Sequence, residues 1–194
     1  MKRDRMTTTL MVLGMAAFSG AMLRAIGTPA QETTATQKKV RVERGAYLVT
    51  MMGCNDCHTP WKMGSQGPEP DMTRALSGHP QDVVLPPPPA ASGPWIWHGA
   101  ATNTAFAGPW GVSFTANLTP DKETGLGKWT EEMFIATMRT ARHQGKGRPI
   151  LPPMPVKMIG KANDEDLKSI FAYLQSLAPV KNQVPAPIDP LEEK

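Results

Sequence analysis

Two cysteines and a histidine stand close enough in the sequence to share one chemical task. Cys54 and Cys57 are the only cysteines among 194 residues, they lie three positions apart, and His58 follows directly. The pattern C-x-x-C-H is typical of haem attachment, in which each cysteine sulfur bonds one vinyl group of the macrocycle. The adjacent imidazole then reaches the iron as its proximal ligand. The sequence therefore predicts one covalently bound haem c, held by Cys54, Cys57 and His58.

Three other interpretations of the two cysteines are weaker. A disulfide suits an exported protein but leaves His58 without a task. A thioredoxin-like redox pair needs a strand before the motif and a helix after it, whereas Pro60 and a long loop follow here. A zinc site needs four ligands, and the sequence has no second paired motif to supply them.

The second axial ligand is predicted to be a methionine, because Met/His ligation is typical of electron-transfer cytochromes. Met154 is the first candidate, since Pro152, Pro153 and Pro155 restrict the backbone around it. Met158 is the alternative ligand, and core packing is the ordinary role of methionine in a chain that has thirteen. The remaining histidines are further axial alternatives: His79, His98 and His143.

The N-terminal segment predicts export. A basic start is followed by 18 uncharged residues, 6–23, so residues 1–30 are predicted to form a signal peptide or an N-terminal membrane anchor. From residue 31 onward 17 basic residues face 16 acidic ones, which gives no support for nucleic-acid binding. We expect a periplasmic protein, or one on the outer face of the cytoplasmic membrane.

Helical patterns place the motif in an all-α fold. Val40, Tyr47, Leu48 and Met51 share one predicted helix face, and Gly53 is the predicted stop immediately before Cys54. A second helix is predicted after the cap residue Thr130 and a third after Asn163, the last ending at Pro179. No segment alternates long enough to predict a strand.

The remaining regions divide the chain. Residues 31–38 are predicted as a polar linker, 39–180 as the haem domain and 181–194 as a Pro-rich tail. Within the domain, residues 60–115 form an insertion with ten prolines, seven glycines and four of the five tryptophans. The tryptophans indicate an ordered, packed loop, because disordered segments are poor in aromatic residues.

The haem motif and the Pro-flanked methionine together resemble class I, single-haem c-type cytochromes. The chain looks most like the cytochrome c subunits that accompany alcohol and aldehyde dehydrogenases. The resemblance covers about half of the chain beyond residue 30 and also includes these stretches: 44–48, 117–129, 164–167 and 172–174.

The resemblance implies a cytochrome c-like fold of three to four helices around one haem. Its first and last helices would cross beside the haem, with Gly45 permitting close approach. It also implies that Trp129, Asn117 or Arg148 hydrogen-bonds the haem propionates. Two features depart from the family: dehydrogenase subunits often carry three C-x-x-C-H motifs, and the insertion is long for a minimal domain.

These observations predict an electron carrier rather than an enzyme, with redox proteins as partners: a dehydrogenase, an oxidase or another cytochrome. Between residues 133 and 163 there are six basic residues and no acidic residue, which predicts either a docking surface for acidic partners or ordinary solvated charges at helix ends. Two alternatives stay open. The chain could be a haem sensor or peroxidase-type enzyme with an open sixth iron position, or a structural subunit whose insertion docks a dehydrogenase.

Overall fold

The computed structural model of the protein describes residues 29–89 and 94–190. The predicted export segment therefore lies outside the described residues, apart from its last two positions. Within the described ranges, no helix has both the length and the apolar character needed to cross a membrane.

Five α-helices and two 3₁₀ turns lie within these ranges. The helices include the motif itself, in the one-turn helix α2, and the segment that follows Met154, in α4. The 3₁₀ turns cover Met72–Arg74 and His143–Gly145. The α-helices are α1 (Pro29–Met51), α2 (Cys54–His58), α3 (Glu131–Thr140), α4 (Val156–Ile159) and α5 (Asp164–Leu174).

Five short strands form two antiparallel sheets in the described part of the chain. The first is a two-stranded hairpin, β1–β2, and the second has the order β3-β4-β5. In the second sheet Phe106 of β4 is paired with Ser113 of β5. The strands are β1 (Trp61–Gly64), β2 (Gly67–Pro70), β3 (His98–Gly99), β4 (Ala105–Gly108) and β5 (Gly111–Phe114).

The prediction of an all-α cytochrome c-like fold with three to four helices was therefore wrong. All the described strands lie in the insertion 60–115, which was expected to be an ordered loop. Each strand is only two to four residues long, so no alternation of apolar and polar residues develops along it. The two hairpins could have been recognised from their loops. Each loop has two residues, after Gly64 or Gly108, and is followed by a glycine with positive φ.

The predicted helix caps Thr130 and Asn163 and the predicted stop at Gly53 are confirmed. Thr130 caps α3, its side chain accepting a hydrogen bond from the Met133 N–H, and Asn163 caps α5 by accepting from the Asp166 N–H. After α1, Gly53 takes the left-handed conformation with φ 66°. Two bounds differ from the prediction: the last helix ends at Leu174, five residues before Pro179, and the segment 31–38, predicted as a polar linker, belongs to α1.

The buried face of α1 differs from the predicted one. Leu48 and Val49 are buried, whereas Val40, Tyr47 and Met51 are more than half exposed. The buried face of α1 includes Gly45, a residue that a search for apolar side chains does not detect. A Cβ at this position would overlap the Ser169 carbonyl oxygen in α5, so the two helix backbones come into direct proximity here.

One apolar core joins the helices to the loop after β1–β2. Leu76 from that loop and Leu167 from α5 are almost completely buried in it. The other members are Leu48, Val49, Leu126, Phe134, Met138, Val156, Ile159, Ile170, Phe171 and Leu174. Of the insertion's tryptophans, Trp95 and Trp97 are 72% and 45% exposed, so the packing expected from the tryptophans does not hold for these two.

The segment after α5 is fastened to the insertion. The Asn182 side chain is fully buried and donates to the carbonyl oxygens of Ser77 and His79. Further along, Ile188 exchanges two backbone hydrogen bonds with Val112 of β5, at 2.8 and 2.9 Å. This part of the predicted Pro-rich tail is thus an integral edge of the fold.

We expect Gly45→Ala to lower the free energy of unfolding by about 3 kcal/mol, because the new methyl group overlaps a fixed helix carbonyl. Urea unfolding followed by far-UV circular dichroism measures this. As the control, Gly99→Ala places its methyl group no closer than 3.4 Å to Phe106 and should change stability by less than about 1 kcal/mol. Equal losses in both variants would contradict the close helix crossing.

Candidate haem site

The C-x-x-C-H motif forms a single helical turn between two bends. Gly53 ends α1, and α2 then carries Cys54, Cys57 and His58. Positions three apart on a helix face the same side, so the two sulfurs share one side of the turn. Helix α1 precedes the motif and strand β1 follows it, which is the reverse of the order in a thioredoxin-like site.

His58 is buried and already oriented. Its Nδ1 lies 2.8 Å from the carbonyl oxygen of Ala116, which can only accept, so Nδ1 carries the proton and donates it. Burial lowers the pKa of His58, because the loss of solvent disfavours the imidazolium more than the bond to Ala116 favours it. The ring is therefore neutral at pH 7 and its Nε2 lone pair is the free one. This is the arrangement of a metal-binding histidine.

Both cysteines are free thiols and partly buried. Burial raises the pKa of the Cys54 thiol to about 11, and burial together with the Asp56 charge raises the pKa of Cys57. The two side chains are not joined by a disulfide in this structure. Cys54 also packs against the apolar core. The thiols are thus uncharged groups at the edge of an apolar surface.

Met154 packs against the same core as Cys54 and is partly buried. Its loop is fixed on one side by the Ile150 N–H, which donates to the Ala141 carbonyl at 2.9 Å, and on the other by the buried Val156 of α4. Met158 lies on the outer side of α4 and is 61% exposed. Of the two methionines predicted as candidate ligands, Met154 is therefore the one that packs on the core.

Trp129 and Arg148 come together through His143. The His143 ring meets Trp129 edge to face, with ring centroids 5.1 Å apart, and the His143 N–H donates to the Arg148 carbonyl. Partial burial and then the Arg148 charge lower the pKa of His143. Two of the residues predicted to bind propionates thus share one cluster beside the core, which we call the Trp129 cluster: Trp129, His143 and Arg148.

Asn117 lies elsewhere and its side chain is fully engaged. It is 3% exposed, its amide donates to Thr124 Oγ1 and to the Val180 carbonyl, and its oxygen accepts from Thr119. These bonds join the loop after β5 to the segment beyond α5. The side chain serves as an internal connector in this structure.

The other predicted axial alternatives occupy different surroundings. His79 is buried, with Nδ1 2.9 Å from Thr104 Oγ1 and Nε2 3.2 Å from the Val83 carbonyl, so both ring nitrogens are engaged. His98 is on β3, and its buried Nε2 has no partner among the described residues. Across residues 29–89 and 94–190, no three His, Cys, Asp or Glu side chains meet as a metal site.

The residues present fit a haem. One buried imidazole offers Nε2, two thiols share one side of a helical turn, and a methionine lies on the same core as the first thiol. Partly buried apolar side chains surround that core, and a flat apolar macrocycle could cover them: Leu118, Trp129, Ile135 and Ile150. The sequence missed the Ala116 carbonyl, because a backbone group carries no residue-type signal.

The chain is similar in sequence to known cytochrome subunits of dehydrogenases. The chain is 27% identical over 188 residues to the fructose dehydrogenase cytochrome subunit of Gluconobacter japonicus, covering 94% of this chain and 30% of that protein. It is 25% identical over 147 residues to the cytochrome c subunit of the quinone alcohol dehydrogenase of Gluconobacter oxydans, covering 75% and 23%. No protein-family model matches the chain.

A shorter match is stronger in identity. Over 86 residues the chain is 36% identical to one of the subunits of the nicotinate dehydrogenase of Pseudomonas putida, covering 44% of this chain and 7% of that protein. The chain thus spans less than a third of the length of each of these relatives. It is related to the cytochrome c subunits of dehydrogenases, as the sequence resemblance predicted. The relationship supports haem binding and electron transfer.

We expect the mature protein, denatured and reduced, to show no iodoacetamide labelling at Cys54 or Cys57, because thioether bonds resist thiol reductants. Peptide mass spectrometry measures this. The haem-free folded chain is the control: with a Cys54 pKa near 11, labelling there should be slow at pH 8 and rise about tenfold per pH unit toward pH 11. Two labelled cysteines in the mature protein would exclude covalent attachment.

Proposed function

We propose that the chain is a single-haem c-type cytochrome that transfers electrons between redox proteins outside the cytoplasm, as the cytochrome subunit or electron acceptor of a dehydrogenase. The observation that carries this proposal is the His58 geometry. The ring donates Nδ1–H to Ala116 and presents a neutral Nε2 at the end of the C-x-x-C-H turn. An electron donor of the dehydrogenase class is supported by the names of the relatives.

The chain's own residues have defined tasks in this function. When bound, haem c supplies one iron that accepts and returns a single electron. His58 and Met154 would hold the iron as its two protein ligands, so that no coordination site would be left open for a substrate. Cys54 and Cys57 can form two thioethers, and the sequence has no further cysteine for a second covalent haem.

For the propionates we favour the Trp129 cluster. Trp129 Nε1 makes no hydrogen bond within the described residues, and the Arg148 guanidinium makes only a 3.4 Å contact with the Pro149 carbonyl. Both groups therefore have donors to offer to a carboxylate. Asn117 would first have to release its bonds to Thr124 and Val180.

We expect the oxidised protein to show a sulfur-to-iron charge-transfer band that Met154→Ala abolishes. In that variant the reduced protein should bind carbon monoxide readily, because the sixth position is open. The matched control is Met158→Ala, which removes an exposed methionine four residues away and should leave both properties unchanged. Visible absorption spectra measure both.

Ready carbon monoxide binding by the unchanged protein, without the band, would instead support a haem sensor or peroxidase-type enzyme.

A basic surface beside the methionine loop supports docking of acidic partners. Lys157 and Lys161 follow Met154, and neither they nor Lys146 forms an ion pair within the described residues. Arg139 is different, because Asp164 binds its guanidinium at 2.6 Å. Unpaired surface cations of one sign attract acidic proteins and raise association rates.

We expect Lys157→Glu combined with Lys161→Glu to slow reduction by an acidic redox partner by about tenfold or more at low salt, and the difference should shrink as ionic strength rises. Stopped-flow kinetics across a salt series measure this. Lys38→Glu combined with Lys122→Glu is the matched control, since it makes the same change in net charge at exposed positions elsewhere. Equal slowing by both pairs would exclude a local docking surface.

A further inference from the structure

A four-residue segment of the chain contacts both predicted axial-ligand regions. At one end, Ser113 Oγ donates to the Pro152 carbonyl at 2.6 Å, two residues before Met154. At the other end, the Ala116 carbonyl accepts the His58 Nδ1–H at 2.8 Å. Residues 113–116 are the last two positions of β5 and the two that follow; we call them the bracket segment. One short segment, made of the end of the insertion and the residue that follows it, thus contacts both predicted ligand regions.

The bracket segment is held in place by the sheet and by loops around it. Ser113 is paired with Phe106 of β4, and the Thr115 N–H donates to the Thr104 carbonyl at 2.9 Å. The Thr115 carbonyl in turn accepts from the His79 N–H at 3.0 Å. On its other edge β5 is bonded to Ile188. The segment is therefore fixed independently of the groups it contacts.

The methionine loop has few means of fixing its own backbone. Pro152, Pro153 and Pro155 carry no N–H group, so Met154 has the only backbone donor in these four residues. The loop can be anchored here mainly through its carbonyl oxygens, which need a donor from another element. Ser113 supplies that donor from a site only 9% exposed, where water is a poor substitute.

We propose that Ser113 is a positioning residue that holds the Met154 sulfur on the iron by fixing the Pro152 carbonyl. This inference deepens the proposed function and rests on it. The insertion thereby acquires a task within the haem site: its second sheet links the proximal histidine to the distal methionine loop. Loss of the Ser113 hydroxyl should leave the haem attached and the fold intact while weakening methionine ligation.

The test uses the oxidised holoprotein and imidazole, a ligand that competes with the methionine sulfur. We expect Ser113→Ala to bind imidazole roughly fivefold more tightly, the effect of losing about one hydrogen bond on the methionine-bound state. The charge-transfer band should disappear at a lower temperature than in the unchanged protein, before the helices unfold. Ser113→Thr keeps the hydroxyl donor and should restore both properties.

Thr115→Val is the matched control, because Thr115 Oγ1 is buried two residues away and has no partner among the described residues. It should leave imidazole affinity unchanged. Unchanged affinity in Ser113→Ala, or a change equal to that in Thr115→Val, overturns the inference. If Ser113→Ala does not fold, imidazole affinity is measured in Ser113→Cys instead, because the thiol is a weaker hydrogen-bond donor than the hydroxyl.

Failure of the proposed function itself has a different signature. In that case the unchanged protein lacks the charge-transfer band, or Met154→Ala retains it.

Discussion

The hydrogen bond from His58 to Ala116 is the contact on which the site depends. It fixes the tautomer of a buried ring, leaves Nε2 as the nitrogen with the free lone pair, and ties α2 to the segment that follows β5. Burial by itself makes the imidazole neutral but does not decide which of its two nitrogens carries the proton. The hydrogen bond places the proton on Nδ1, so the availability of Nε2 as a ligand depends on the position of one backbone carbonyl.

That carbonyl lies where it does because the insertion is structured. The sheet β3-β4-β5 leads the chain back past His58, and Leu118 continues from it into the core, its N–H bonded to the Leu76 carbonyl. Helices α1 and α5, which meet at Gly45, contribute side chains to the core against which Cys54 and Met154 pack. The candidate haem site thus depends on both a helix pair and a small sheet.

Sequence reasoning succeeded where the determinant was local. Thr130 and Asn163 cap helices through their own side chains, and Gly53 permits a backbone angle that other residues resist. It failed where the determinant was a partner distant in the chain. The strands of the insertion are too short to show an alternating pattern of apolar and polar residues. The buried side of α1 depends on Gly45, whose lack of a side chain lets α5 approach closely.

The same distinction applies to the site. Cys54, Cys57 and His58 are identifiable because their chemistry lies in residue type and spacing, and the prolines around Met154 mark it out from the other methionines. The Ala116 carbonyl and the Ser113 hydroxyl carry no such mark. Each matters because the fold brings it to a partner far away in the sequence: Ser113 is 39 residues from Pro152, and Ala116 is 58 residues from His58.

Asn182 bears on the order in which the molecule can reach its final form. Its side chain closes onto the carbonyls of Ser77 and His79, residues more than a hundred positions earlier in the chain. Contacts over such separations form late, because the intervening chain must first be confined. Asn182 therefore cannot fasten the loop next to His58 until nearly all of the described chain is present, so this loop lacks two of its hydrogen bonds in any shorter chain.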